Sequence, residues 1–325
     1  MKVLITTVPF ANKSKLPLEL LEFAGAEYII NPLNKKLTED ELAGLVCDID
    51  IIIAGTETIS RKVMDNAPKL KLISRVGIGL DGVDLVAAKE KGILVSYTPD
   101  APAPAVAELT MGLMLSLLRS IHIANKQLHD GNWNRIFGRR ISEVTVGVIG
   151  AGRIGGRVIR RMEAFGSPRL MINDVSQKRE IDKAYKVEWT TKEDIYKNAD
   201  VITFHIPLSP QTKNLVKKEH LLMMKPDALI INTSRGGIIN ENDLADVLES
   251  GHLGGVAIDV FEQEPYSGRL ANIDNCLLTA HMGSMSIDCR SRMELEATQE
   301  AIRFINGSEL ELLVPEVEYT MQSIN

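Results

Sequence analysis

The stretch that decides the fold is TVGVIGAGRIGGRVI, Thr145 to Ile159. Thr145–Ile149, rich in β-branched apolar side chains, reads as a buried strand. It runs directly into Gly150-Ala151-Gly152-Arg153-Ile154-Gly155, where a helical pattern opens. Each glycine has a task. Gly150 permits a tight turn, Gly152 lets the backbone approach a pyrophosphate, and Gly155 lets the helix pack on the strand. The free N–H groups and dipole of the helix start hold phosphate charge. Arg153 and Ile154 lie in the same turn and join the candidate cofactor contacts. A GxGxxG alone is weak; between a strand and a helix it predicts a dinucleotide site.

Downstream, Leu170–Asn173 reads as the next strand and ends at Asp174. Its carboxylate would accept ribose hydroxyls and repel a 2′-phosphate, which favours NAD over NADP. An ordinary turn residue is the plain alternative, and Lys178 and Arg179 nearby keep NADP open. Further strands are expected at Val201–His205, Ala228–Asn232, Gly255–Asp259 and Cys276–Thr279.

An earlier series precedes this one. Strands are expected at Lys2–Thr7, Ala26–Ile30, Asp50–Ala54, Lys71–Val76 and Gly92–Ser96. Helical patterns lie between them at Leu16–Ala24, Thr38–Leu45, Ser60–Asn66 and Leu85–Glu90. Such alternation predicts an α/β protein with two doubly wound parallel-sheet domains. The joining segment TPDAPAPAVAE, with Pro99, Pro102 and Pro104, reads as a hinge. The expected division is 1–99 plus 285–325 for one domain and 100–284 for the other, with a last helix near Asp288–Asn306 returning to the first. A long helix, Ala105–Arg119 running on to about His129, carries Leu109, Gly112, Leu113, Ser116 and Leu117 at helical spacing. That face suits either core packing or a dimer seam.

Composition narrows the function classes. The 325 residues are 45% hydrophobic and 25% charged, as in ordinary globular proteins. A net charge of −6 supplies no basic field for nucleic acid or an acidic membrane. No run approaches a membrane span, and the N-terminal MKVLITTVPF reads as a strand. Cys47, Cys276 and Cys289 are scattered, so neither a disulfide framework nor a zinc site is expected. No metal is expected, and a reducing cytoplasm is the simplest compartment.

Candidate chemistry gathers at strand ends. The run Ala228–Ile231 ends in Asn232-Thr233-Ser234, followed by Arg235, Gly236 and Gly237. An arginine there is poorly explained by folding alone, and its fork suits a carboxylate. His205 ends a strand in FHIPL. His281 ends another in CLLTAHMGS, where Ala280, Gly283 and Ser284 leave room for a ligand. AIDVFEQEP places Glu262 and Glu264 beyond a third strand. A carboxylate beside an imidazole fixes its tautomer and favours its charged form. Strand-end residues of an open parallel sheet converge on one crevice. His122, His129, His220 and His252 read as surface residues.

Together RVGIGLDGVDL, VAE, GAGRIG, HIPLSPQTKNLV, NTSRGGII, AIDVFEQEP and TAHMGS carry a specific likeness over nearly the whole chain. The chain resembles the NAD-dependent D-2-hydroxyacid dehydrogenases, nearest to the D-3-phosphoglycerate dehydrogenase branch. The resemblance implies a Rossmann cofactor domain inserted into a flavodoxin-like substrate domain. It implies that Arg235 binds the substrate's carboxylate and carbonyl, that His281 is the acid/base, and that Glu264 is its partner. Asp259 would face the nicotinamide side, with Thr233 and Ser234 near it. His205 and Pro207 would wall the adenosine part, and Thr212 and Gly283 would also line the cofactor. Arg75, Val76, Gly77, Ile78 and Gly79 would form the substrate loop, whose successive N–H groups make a nest for a carboxylate.

On this likeness 3-phosphoglycerate is the first substrate to expect, with Arg75 for its phosphate and Arg61, Arg135 or Arg139 in support. The arginine that this branch often carries at the segment matching Ile53-Ala54-Gly55 is absent. Glyoxylate/hydroxypyruvate reductase and sugar-acid dehydrogenase are the alternatives, and an NAD(H)-sensing corepressor is the non-enzymatic one. A gene product of the short form, without the serine-binding regulatory domain, is expected, as is a homodimer. AFGSPRLMIND is one residue longer than the family's usual path to the ribose-binding Asp, so the role of Asp174 turns on register.

Overall fold

The computed structural model describes residues 1–323, which form two compact units, 1–102 with 285–323, and Ala103–Ser284. The first contains strands β1 (Lys2–Ile5), β2 (Glu27–Ile30), β3 (Ile51–Ala54), β4 (Leu72–Arg75) and β5 (Leu94–Ser96). They pair in parallel in the order β2-β1-β3-β4-β5, the flavodoxin-like arrangement. β3 and β4 are buried along their whole length, as continuous apolar runs in a two-sided sheet must be. The edge strand β2 is largely exposed.

Short helices cover this sheet, and their starts are written in the sequence. Thr38 and Glu41 form a reciprocal capping box ahead of Glu39–Ala43, and Asp84 caps Leu85–Glu90. The helix Ile287–Ile305 packs on β3 and β4. Its buried Glu294 accepts from Ala11 N at 2.9 Å and from Arg290 Nε at 2.7 Å, so a charge inside the unit is fully engaged.

The second unit holds seven parallel strands: β6 (Thr145–Ile149), β7 (Arg169–Asn173), β8 (Val187–Trp189), β9 (Val201–Phe204), β10 (Leu229–Asn232), β11 (Gly255–Ile258) and β12 (Cys276–Leu278). Their order is β12-β11-β10-β9-β6-β7-β8. The direction of winding reverses between β6 and β9, and ligands of such sheets bind at that switch point, outside the carboxyl ends of the strands. The short edge strand β8 was not expected. Its sequence, Val-Glu-Trp, lacks the apolar run that marks the others, and only its pairing with β7 defines it.

The long helix is also different from expectation. Ala103–Leu118 and Ile121–His129 are separate and bent by 63° at Ser120, which has φ +49. The first buries nine side chains, including Leu113 and Leu117, whereas the second buries none. Core packing therefore ends at Leu118, and nothing beyond it holds the helix straight. Leu109 and Ser116 are half-buried and Gly112 is exposed, so the face splits between core and surface. Among the described residues no single helix is long and apolar enough to cross a membrane.

Candidate active site

The glycine turn after β6 separates two kinds of requirement. Gly150 has φ +96, and a Cβ there would overlap the carbonyl of His205. A Cβ on Gly155 would overlap the Gly150 carbonyl. Both glycines are demanded by the fold itself. Gly152 is not, because a Cβ there meets no protein atom within 4 Å. That open space at the start of the helix Arg153–Glu163 is the room a pyrophosphate needs. Hence Gly152→Ala should leave the unfolding temperature close to wild type while weakening NADH binding about tenfold. Gly155→Ala should lower the unfolding temperature, with a cost of about 1–3 kcal/mol from overpacking. Thermal unfolding and an NADH fluorescence titration on both variants check this contrast.

Asp174 directly follows β7. Its Oδ2 accepts from Ala151 N at 2.7 Å, inside the glycine turn, and its Oδ1 accepts from Ser176 N at 3.0 Å. Ahead of β7, Gly166 and Ser167 adopt positive φ and turn the chain into the strand. The carboxylate therefore lies against the turn meant for phosphates.

Other candidates on this edge hold the loops. His205 Nε2 lies 3.0 Å from Thr203 Oγ1, and burial pushes its imidazole down to about 3, so the ring is neutral near pH 7. Pro207 is exposed. The Thr212 hydroxyl donates to Pro207 O and accepts from Ser209 N, both at 2.7 Å, closing that turn. Thr233 pairs with Thr110 at 2.8 Å, within the unit's interior.

Arg235 follows β10 on a turn locked by Asn232. The Asn232 amide accepts from Ser234 N and Ser234 Oγ and donates to Arg235 O at 2.8 Å. At Gly236 a Cβ would overlap the Phe261 carbonyl, so the backbones after β10 and β11 touch. Arg235 Nη1 donates to Ser234 O at 2.6 Å, and the side chain is partly exposed.

The imidazole of His281 meets the carboxylate of Glu264. Nδ1 lies 3.0 Å from both Oε1 and Oε2. A carboxylate only accepts, so Nδ1 carries the hydrogen and Nε2 is left for a ligand. Glu264 Oε1 also accepts from Phe261 N at 3.2 Å. His281 has φ +50, unusual for a side chain of this size. Its backbone N donates to Asp259 O at 2.8 Å and Thr279 O at 3.1 Å. β10, β11 and β12 are neighbours, so Arg235, Glu264 and His281 all emerge at one edge of the sheet.

Asp259 is the residue that sequence reasoning placed on the nicotinamide side without its structural task. Its fully buried carboxylate accepts from Thr279 Oγ1 at 2.6 Å, Met282 N at 2.8 Å and Gly283 N at 2.9 Å. It thereby brackets His281 on both sides. Removing it strands these donors, at about 1–3 kcal/mol for each buried group left unpaired. Only the Gly283 N–H is buried, so Asp259→Ala is expected to lose about 1–3 kcal/mol of stability, measured by urea unfolding.

Of the remaining histidines, His122 departs from expectation. Both ring nitrogens are enclosed, and burial lowers its pKa, so it is no solvated surface group. His252 Nε2 lies 3.0 Å from Met224 O, and His220 Nδ1 accepts from Lys217 N. The three cysteines are free. Burial pushes Cys276 up to about 12 and Cys289 up to about 11, so both thiols stay protonated near neutral pH.

In the first unit, the loop after β4 has an open backbone. Among the described residues, the N–H groups of Gly77, Ile78 and Gly79 donate no hydrogen bond, whereas Val76 N donates to Ala54 O at 2.9 Å. Arg75 is buried and braces this loop, donating from Nε and Nη2 to Gly79 O at 3.0 and 2.8 Å.

A dinucleotide turn with its acid, followed by an Arg and a Glu–His pair on three adjacent strand ends, is an arrangement that fits the 2-hydroxyacid class of NAD-dependent oxidoreductases. The chain belongs to the D-isomer specific 2-hydroxyacid dehydrogenases, whose NAD binding domain matches residues 111–283. NAD is the cofactor of that family, and the glycine turn fits it. The chain is 37% identical over 283 residues to the D-3-phosphoglycerate dehydrogenase of Methanocaldococcus jannaschii, covering 86% of this chain and 54% of that protein. It therefore spans about half the length of that relative. It is 34% identical over 277 residues to the hydroxypyruvate reductase of Thermotoga maritima, covering 83% of this chain and 89% of the other. The crystal structure of TT0316 protein from Thermus thermophilus superposes with a TM-score of 0.88 at 32% identity, over 97% of this chain and 100% of that one.

Proposed function

We propose that this protein interconverts a D-2-hydroxy acid and its 2-oxo acid with NAD(H). The reading is carried by the His281–Glu264 pair, held at 3.0 Å with Nε2 left for a ligand. Bound NAD(H) supplies the hydride chemistry at C2. In oxidation, His281 Nε2 takes the hydroxyl proton, and in reduction it returns one to the forming alkoxide. Glu264 holds the ring in the required tautomer and balances its charge. Arg235 pairs with the substrate carboxylate and draws charge toward the C2 oxygen. Asp174 receives the ribose hydroxyls, Gly150, Gly152, Arg153, Ile154 and Gly155 cradle the pyrophosphate, and His205, Pro207 and Thr212 border the adenosine. Thr233, Ser234, Asp259 and Gly283 border the nicotinamide.

The unit containing residues 103–284 serves as the cofactor domain. The other serves the substrate, through the loop Arg75–Gly79 and its three unpaired N–H groups. 3-Phosphoglycerate, hydroxypyruvate and glyoxylate are the substrates to try, together with their redox partners. The working form is a cytoplasmic homodimer. Its seam uses the open side of Ala103–Leu118 and the exposed Ile121, Leu128, Trp133 and Phe137, apolar groups too numerous for a lone surface. The test is NADH oxidation across 2-oxo acids, and NAD reduction across D-2-hydroxy acids. Turnover of D- but not L-acids supports the reading; absence of turnover with every acid, despite NADH binding, overturns it.

A further inference from the structure

The carboxyl end of the first unit's sheet holds a charged group that no step above uses. Glu57, two residues past Gly55 on the loop after β3, is only 3% exposed. Its Oε1 accepts from Gly55 N at 2.9 Å and from the Thr6 hydroxyl. Its Oε2 has no hydrogen-bond partner among the described residues. Although the residue as a whole is buried, Oε2 is not among the fully enclosed unpaired polar atoms, so water or a ligand can reach it and supply the missing donor. Oε2 also fixes what can stand above Gly55. A Cβ on that glycine would come 2.8 Å from Oε2 and 3.0 Å from Thr7 Cα and Cβ. Any side chain at position 55 would therefore meet a negative group.

The loop carrying Glu57 runs beside the loop carrying the open nest. β3 and β4 are paired, with Ala54 opposite Arg75. Beyond them, Ile59 N donates to Gly82 O at 2.7 Å, and a Cβ on Gly82 would lie 3.0 Å from Glu57 O. The cations of this unit that a phosphate would need are engaged. Arg61 pairs with Glu90 at 2.6 Å. Arg75 donates twice to Gly79 O. Arg290 donates to Thr7 Oγ1, Pro9 O and Glu294. What the strand ends offer a ligand is therefore three N–H donors for a carboxylate and one carboxylate oxygen, Glu57 Oε2, without a donor of its own.

We infer that Glu57 is a specificity-determining residue that accepts a hydrogen bond from a substrate hydroxyl, so that the preferred substrate is an unphosphorylated, hydroxylated 2-oxo or 2-hydroxy acid. This rests on the dehydrogenase reading and on the substrate role of the loop Arg75–Gly79. A hydroxyl satisfies Oε2, a methyl group leaves it unpaired, and a phosphate brings like charge against it.

The experiment compares kcat/KM, with saturating NADH, for hydroxypyruvate, pyruvate and 3-phosphohydroxypyruvate in the wild type and in Glu57→Gln. Gln keeps an oxygen for Thr6 and Gly55 N and removes the charge. The wild type should favour hydroxypyruvate over each of the others by at least about tenfold. In Glu57→Gln the preference over 3-phosphohydroxypyruvate should shrink by at least about tenfold, with NADH affinity unchanged. A folded variant with unaltered ratios overturns the assignment. So does a wild type that prefers the phosphorylated acid, which needs no variant to establish. NADH oxidation with none of the three acids overturns this assignment, whereas the dehydrogenase reading falls only if the wider panel of acids fails as well.

Discussion

His281→Ala is expected to lower kcat by roughly 10²–10⁴-fold, the range that a positioned acid/base contributes. NADH affinity should hold, because the glycine turn and Asp174 belong to loops after β6 and β7, on the far side of β9 and β10 from the His281 loop. The reason for so large a loss is specific to this geometry. Glu264 faces Nδ1 with both oxygens, so a single tautomer is presented and only Nε2 can exchange a proton with substrate. Without the ring, that proton must come from water, with no fixed approach to C2. Glu264→Gln should be milder and informative. The amide can still accept from Nδ1, so the ring orientation is kept while the charge that balances imidazolium is lost. The pH–rate profile should then change shape while KM changes little. Stopped-flow measurement of NADH oxidation separates the chemical step from product release. Turnover of His281→Ala within about threefold of wild type would exclude the acid/base role.

Much of this site is legible because its residues follow directly on strands. A parallel strand buried on both faces announces itself as an apolar run, and whatever polar residue ends the run must emerge at the carboxyl edge. Arg235 and His281 are read that way, each three residues beyond its strand. Both sheets were legible by the same signal, apart from β8. What the sequence hides is pairing across distance. Nothing near Asp259 tells that its carboxylate takes Thr279, Met282 and Gly283 as partners, since those contacts span at least 20 residues. Glu57 is hidden for the same reason, because Thr6, its partner, lies just past β1, 51 residues away. The helix break at Ser120 was masked by residues that are all compatible with helix. Only the loss of a buried face after Leu118 ends the first segment.

Arg235→Lys is the sharper test of the anion site and is expected to cost roughly 10²-fold or more in kcat/KM, with Arg235→Ala costing at least as much. Lysine keeps the charge, so a purely electrostatic role would predict a small change. The turn argues for the fork instead. Asn232 holds the Arg235 carbonyl at 2.8 Å, and Gly236 allows the chain to pass against Phe261, so the root of the side chain is fixed. Nη1 is tied to the carbonyl of Ser234 at 2.6 Å, which fixes the plane of the guanidinium as well. A planar group held at both root and tip is prepared for two parallel hydrogen bonds to a carboxylate, and a point charge on a flexible stem cannot repeat that geometry. The loss should appear in both KM and kcat, because in the proposed role the fork would bind the carboxylate and also steady the C2 oxygen as charge develops there. A change confined to KM would limit Arg235 to ground-state binding. Near-wild-type kcat/KM for Arg235→Lys would mean that charge alone suffices, and the bidentate role would be lost.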